Sequence, residues 1–148
     1  MNIAIRIVGF FVALVLLVLT CWLTNLFSAV VEPMSFLFVL GVGSAGWLLS
    51  TGARGIEMTA KTLVGDLNPS EGSEAAMMAR SGKHAYWWAA LMASLFGLIQ
   101  MLQNLEDPAH IGPAVAVMIL APLYAALFSF FVWSPLEAAA SARALQAQ

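Results

Sequence analysis

The sequence predicts an all-α integral membrane protein with four transmembrane helices, and three observations lead to this fold class. The 148 residues are 61% hydrophobic and only 9% charged, whereas about a quarter of the residues in a soluble domain are charged. Four stretches free of Asp, Glu, Lys and Arg each meet or exceed the roughly 20 helical residues that cross a bilayer. These stretches are continuously apolar, while strands of a membrane barrel alternate between apolar and polar residues.

The charge-free stretches place the four spans at about 5–25, 34–52, 85–105 and 111–134. Short connections, around 25–33 and 106–110, join the first to the second span and the third to the fourth. The middle segment, 53–83, is expected to be a cytoplasmic loop with short helices, in which residues 54–64 could continue the second helix because Glu57 and Lys61 lie four residues apart in the favourable order. It is too small to fold as a domain of its own, so residues 1–148 are predicted to form a single membrane domain.

The basic residues give these spans a direction. Lys and Arg near the ends of spans are retained on the cytoplasmic side of the membrane, and all six of them fall on one side of the predicted arrangement. They are Arg6, Arg54, Lys61, Arg80, Lys83 and Arg143. Both termini and the middle segment are therefore predicted to be cytoplasmic, an N-in/C-in topology. Trp22, Trp87, Trp88 and Trp133 lie near predicted span ends, as interfacial aromatic residues do.

Several classes of function are disfavoured by the residues. A net charge of −2 gives no reason to expect nucleic acid as a partner. The G-x-G-x-x-G pattern at 41–46 lies inside an apolar span rather than between a strand and a helix, so a dinucleotide site is not expected. His84 and His110 lie at opposite membrane faces, which disfavours a metal site. No nucleophile and base, or pair of carboxylates, is placed for catalysis, so we expect neither an enzyme nor a cofactor.

Small residues form stripes on the last two predicted helices. Lipid tails give no hydrophobic drive to helix association, so such stripes let two backbones approach and pack closely. The helix-packing residues predicted in this way are Ala85, Ala89, Ala93 and Gly97 on the third helix and Ala121, Ala125 and Ser129 on the fourth. The hairpin of these two helices is therefore predicted to pack tightly, either within one subunit or between subunits.

The same hairpin resembles a known family. The run QMLQNLEDPAHIGP at 100–113, the run LYAAL at 123–127 and the pair Ser134-Pro135 are similar to the last two helices of the MotA/TolQ/ExbB proton-channel family, above all to its MotA branch. In this resemblance the periplasmic turn contains Asn104, Glu106, Asp107 and Pro108. A weaker similarity to the second MotA helix covers 33–50.

The resemblance implies a homo-pentamer in the bacterial inner membrane, with multi-pass subunits in contact with lipid. The last two helices would surround the single membrane span of a MotB-, ExbD- or TolR-like partner, which supplies a carboxylate, and the transported ion would be H⁺ or Na⁺. The candidate pore-lining residues are Ser94, Ala121, Pro122, Tyr124 and Ser129. A proton relay across hydrocarbon needs a titratable group at depth, and the predicted spans of this chain contain no Asp or Glu. If the chain conducts, either a partner brings the acid or water fills the pore.

Four departures from the family pattern affect function. The Gly-Thr pair of the family's third helix corresponds to Ala93-Ser94, which retains a hydroxyl, and the proline at the cytoplasmic start of that helix corresponds to Trp87. The Thr-Thr pair of the fourth helix corresponds to Ala121-Pro122, where both hydroxyls are lost. Pro122 should also kink the helix and free the carbonyl of Met118, four residues earlier. The large cytoplasmic domain of MotA is reduced to about thirty residues, so flagellar torque generation in the usual way is not expected. A non-conducting scaffold subunit, or an unrelated small membrane protein, therefore stays open as an alternative.

Overall fold

Every regular element in the described part of the chain is a helix. The structure, a computed structural model, describes residues 3–24 and 32–147. It does not describe the side chains of residues 3–7, 108 and 147. Most of the predicted first connection, around 25–33, lies outside the described residues.

The first helix, α1 (Ile3–Leu23), belongs to a compact unit of its own, Met1–Glu32. Most of its described side chains are exposed apolar groups. The hydroxyls of Thr20 and Thr24 donate to the carbonyl oxygens of Leu16 and Thr20, each at 2.7 Å. These polar groups are thus satisfied within the helix, as an apolar environment requires.

The second unit, Pro33–Gln148, is built from three long helical segments. They are α2 (Pro33–Val64), α3 (Gly72–Gln103), and α4 (Pro108–Phe128) continued by a π-helical turn (Ser129–Trp133) and α5 (Ser134–Ala144). Short 3₁₀ turns lie at Pro69–Glu71 and Leu145–Ala147. Most of the predicted loop 53–83 is therefore helical, because α2 and α3 extend well beyond the predicted spans.

Two glycines with positive φ shape α2. Gly52 has φ 61° and ψ −161°, a combination that is accessible essentially to glycine alone, and it kinks the helix where the predicted second span ends. Gly65 has φ 81° and directly follows the last residue of α2, as the left-handed glycine at a helix end does. The kink at Gly52 thus separates the apolar first part of α2 from its extension, residues 53–64.

The core of this unit combines aromatic and small side chains. The larger cluster includes Val39, Trp47, Tyr86 and Trp133 together with alanines of α3 and α4, and a smaller one contains Met58, Leu67, Ala75 and Ala140. Trp133 is only 5% exposed, so the expectation that it is an interfacial aromatic is wrong. Its indole occupies space that a side chain at Gly82 would fill, with ring atoms at 2.5–2.6 Å from an ideal Cβ there.

Three helices of the described chain are long and apolar enough to cross a membrane: Pro33–Val64, Pro69–Gln103 and Ala109–Ala144. A shorter apolar helix spans Val8–Leu23. The all-helical, multi-pass part of the predicted fold is thus confirmed. A fourth crossing, the orientation and the membrane boundaries of the spans stay predictions.

Candidate functional site

The hairpin of α3 and α4 is the part of the molecule where most of the predicted functional residues lie. Ala89, Ala93, Ala121 and Ala125 are each 3% exposed or less, and Ala85 is partly buried against the same core. The side chain of alanine is a single methyl group, so the backbones of the two helices can approach each other closely.

Gly97 lies where the backbones of these two helices approach each other closely. A Cβ at this position would lie 2.9 Å from the carbonyl oxygen of Ala114 and 3.0 Å from the backbone nitrogen of Met118. Both of those atoms belong to the backbone of α4 and cannot move aside as a flexible side chain could. Only glycine therefore fits between α3 and α4 here.

Ser94 lies one turn before Gly97 and contacts the same residue of α4. Its hydroxyl donates a hydrogen bond of 3.0 Å to the carbonyl oxygen of Met118. This carbonyl is the one that Pro122 leaves without its helical partner, because proline has no N–H. The structure therefore brings together Ser94 and Pro122, two of the candidate pore-lining residues, through Met118.

Of the other candidate pore-lining residues, Ala121 and Tyr124 lie in the core of the subunit and Ser129 is half-buried. Ala121 is fully buried, and the buried ring of Tyr124 packs edge-on against Phe36 of α2, with ring centroids 5.6 Å apart. Ser129 begins the π-helical turn, and its carbonyl oxygen accepts a hydrogen bond of 2.8 Å from the Ser134 hydroxyl. Their role in a pore stays a prediction, since a pore requires more than one copy of the chain.

The turn between α3 and α4 is held by its own polar side chains. Asp107 caps α4 by accepting from the backbone N–H of Ala109 at 3.0 Å, and its second carboxylate oxygen lies 2.8 Å from Nδ1 of His110. Asn104 donates to the carbonyl oxygen of Gln100 at 2.9 Å. Pro108 is the first residue of α4, where its missing N–H costs nothing. Glu106 is exposed.

Ion pairs connect the ends of the helices that extend beyond the predicted spans. Glu137 of α5 accepts from Lys83 at 2.6 Å and from Arg80 at 2.8 Å, both on α3. Hydrogen bonding to Lys83, together with Arg80, holds the pKa of this carboxyl below its usual range even though partial burial opposes the shift. Arg54 pairs with Glu74 across α2 and α3 at 2.7 Å.

Aromatic contacts between α2, α3 and the π-helical turn were not predicted from the sequence. Trp47 and Trp133 lie 5.0 Å apart, and the indole N–H of Trp47 donates to the carbonyl oxygen of Met78 at 3.1 Å. The hydroxyls of Ser44 and Tyr86 are 2.9 Å apart. Glycines within the helices are the sequence feature that could have indicated these contacts. Gly43 leaves room for the ring of Tyr86, and Gly82 leaves room for that of Trp133.

The fold and the hairpin together define an all-helical, multi-pass membrane protein. No family model matches the chain. It is 46% identical over 46 residues to chemotaxis protein PomA of Vibrio alginolyticus and 44% identical over 46 residues to motility protein A of Cereibacter sphaeroides, each match covering 31% of this chain and 18% of the relative.

A third relative is the uncharacterized protein YtxD of Bacillus subtilis strain 168. It is 37% identical over 59 residues, which cover 40% of this chain and 21% of that protein. The chain thus covers about a fifth of the length of these curated relatives. The partial matches to the motility proteins support a MotA-like relationship, in agreement with the resemblance found at 100–135.

Proposed function

We propose that the chain is a membrane subunit of an ion-driven motor or energy-coupling complex, and that the ion is a proton or Na⁺. The observation that carries this proposal is the 44–46% identity to proteins named for motility and chemotaxis. The close α3–α4 hairpin supports it, because a wall of a multi-subunit membrane complex requires helices that keep a fixed geometry.

In this proposal four transmembrane helices with both termini in the cytoplasm form each subunit, in the bacterial inner membrane. Several copies, five by resemblance to the family, form a ring around the single membrane span of a MotB-like partner. A relay of side chains through hydrocarbon requires a titratable group, and residues 85–105 and 111–134 contain no Asp, Glu, Lys or Arg. Conduction therefore needs either an acid from the partner or a water-filled pore, and the acid of the partner is the route that we propose. The partner's carboxylate would carry the proton or bind the Na⁺.

Ion flux into proteoliposomes tests this directly. The chain would be purified alone and together with a single-span protein that carries a membrane carboxylate and is encoded beside it. We expect flux of H⁺ or Na⁺ under an imposed membrane potential only from the complex, and its loss when the partner's carboxylate is changed to the corresponding amide. No flux from the intact complex with either ion would contradict conduction.

A non-conducting scaffold subunit is the second candidate function. It is favoured by Ala121-Pro122, which offer no side-chain hydroxyl on α4, and by Ser94, whose hydroxyl already donates to Met118. Imaging the complex separates the two candidates once flux is known. A five-membered ring with density for a central helix and with flux supports the motor subunit, and a ring without flux supports the scaffold.

A further inference from the structure

Ser94 and Pro122 form a complementary pair across the α3–α4 hairpin. Pro122 lies inside α4, which continues from Pro108 to Phe128 without a break. In an uninterrupted helix the backbone N–H of residue 122 would donate to the carbonyl oxygen of Met118. Proline cannot donate, so this carbonyl needs another donor where water is excluded.

The geometry points to Ser94 as that donor, and we propose that it is a positioning residue that fixes α3 against α4 at the proline. The hydroxyl of Ser94 lies 3.0 Å from the Met118 carbonyl oxygen. Gly97, on the same face of α3, lets the backbone of Met118 come within contact distance. The bond thus connects two helices and replaces a bond that would otherwise lie within one.

This role is independent of ion conduction. It assigns to the hydroxyl of Ser94 a bond within the subunit, whether or not a pore is present. A carbonyl oxygen has two acceptor sites, so a donor at position 122 could satisfy Met118 equally well. The two positions should therefore compensate each other, which a purely local packing role for Ser94 would not produce.

The sequence offers a direct probe of the Met118 carbonyl. Among the eight methionines, only Met118 is followed by isoleucine. Protein labelled with ¹³C at methionine carbonyls and ¹⁵N at isoleucine therefore gives a single directly bonded ¹³C–¹⁵N correlation in solid-state NMR. Its ¹³C shift reports the hydrogen bonding of the Met118 carbonyl alone, in the full chain in lipid bilayers.

Four variants complete the test. Ser94→Ala should move the signal upfield, to a position typical of a carbonyl without a donor, and should lower the midpoint of thermal unfolding by about 2–4 °C. Ser94→Ala combined with Pro122→Ala should restore both, because an alanine at position 122 supplies a backbone N–H to Met118. Pro122→Ala alone should not move the signal upfield, since Ser94 remains and the alanine N–H can only add a second donor.

Thr24→Ala is the matched control. Its hydroxyl also donates to a helix carbonyl, that of Thr20, but the backbone N–H of Thr24 donates to the same oxygen at 3.1 Å. The loss of that hydroxyl should leave the Met118 signal and the unfolding midpoint unchanged. An unchanged Met118 signal in Ser94→Ala, or a double variant that fails to recover it, would overturn the proposal.

Discussion

Gly97 is the residue at which the smallest substitution should have the largest effect on the hairpin. In Gly97→Ala the new methyl group would lie 2.9 Å from the Ala114 carbonyl oxygen, which forces α3 and α4 apart. We expect a loss of roughly 1–3 kcal/mol in the free energy of unfolding, as for other overpacked sites. Thermal unfolding of the purified protein in detergent measures this loss of stability.

The control for Gly97 lies in α4. Gly112 has no atom within 4 Å of an ideal Cβ, so Gly112→Ala should be neutral or stabilise the helix slightly, because alanine has the higher helix propensity. An equal loss of unfolding free energy in the two variants would mean that the close approach at Gly97 does not determine the stability of the hairpin.

Gly52 offers a prediction about backbone conformation rather than packing. Its φ of 61° and ψ of −161° would strain any residue with a Cβ, at a cost of order 1–3 kcal/mol. Gly52→Ala should therefore lower the unfolding midpoint or straighten α2, which the distance between spin labels on either side of the kink would reveal.

The comparison variant for Gly52 is Gly41→Ala in the same helix. Gly41 has no close neighbour at its Cβ position and no positive φ. Its substitution should leave the midpoint unchanged or raise it. If Gly52→Ala is as stable as Gly41→Ala and keeps the same label distance, the kink does not depend on the glycine.

Single residues were predictable where one chemical rule decided the outcome. Proline has no N–H, so the free carbonyl of Met118 follows from the sequence alone. That Ser94 supplies the donor does not follow, because this depends on the rotation of α3 relative to α4. Trp133 shows the same limit. Its position near a span end matched an interfacial residue, and only the pairing of the π-helical turn with Gly82 explains its burial.

Among the elements, α5 is joined to α3 by the ion pairs of Glu137, in addition to the packing of Ala140 with Ala75. The Glu137 side chain is 18% exposed and pairs with Lys83 and Arg80. In Glu137→Gln both cations lose their anion, so we expect a loss of roughly 1–2 kcal/mol at pH 7. Glu74→Gln is the control, because the side chains of the Arg54–Glu74 pair are 61% and 37% exposed and such surface pairs contribute little.

The dependence of stability on pH tests whether the Glu137 carboxylate is the cause of this loss. The pKa of Glu137 is lowered in the folded state, so its contribution is fully present above the ordinary value of 4.5 and disappears as the pH falls through the lower folded value. The difference in unfolding midpoint between wild type and Glu137→Gln should be constant from pH 7 to pH 5 and shrink below that. A difference that does not shrink at all as the pH falls below 4.5 would point to packing instead.

The helices were predictable in kind but not in length. Apolar stretches without charge show which residues can cross hydrocarbon, and this identified α2, α3 and α4. The segment 53–83 was predicted to be a loop with short helices. The continuation of the second helix over 54–64, indicated by the spacing of Glu57 and Lys61, agrees with α2, which continues to Val64 and contains this ion pair. A single helix α3 from Gly72 to Gln103 was not predicted, because hydropathy does not detect a polar extension of a helix.

For the whole molecule, the decisive prediction is the N-in/C-in topology, because it fixes which end of the hairpin faces the cytoplasm. Cys21 is the single cysteine, so Cys21→Ala gives a background for single-cysteine reporters. Ser70, Glu106 and Gln146 are exposed positions in the α2–α3 connection, in the α3–α4 turn and near the C-terminus.

A membrane-impermeant maleimide applied to spheroplasts should label Glu106→Cys at once, and Ser70→Cys and Gln146→Cys only after the membrane is permeabilised. The physical reason is that all six Lys and Arg residues lie on the side of the predicted arrangement that retains positive charge. Labelling of Ser70→Cys and Glu106→Cys from the same side would rule out that α3 crosses the membrane. Labelling of Gln146→Cys and Ser70→Cys from outside would show the opposite topology, in which the α2–α3 connection and the C-terminus face the periplasm, and would contradict the proposed orientation of the ring.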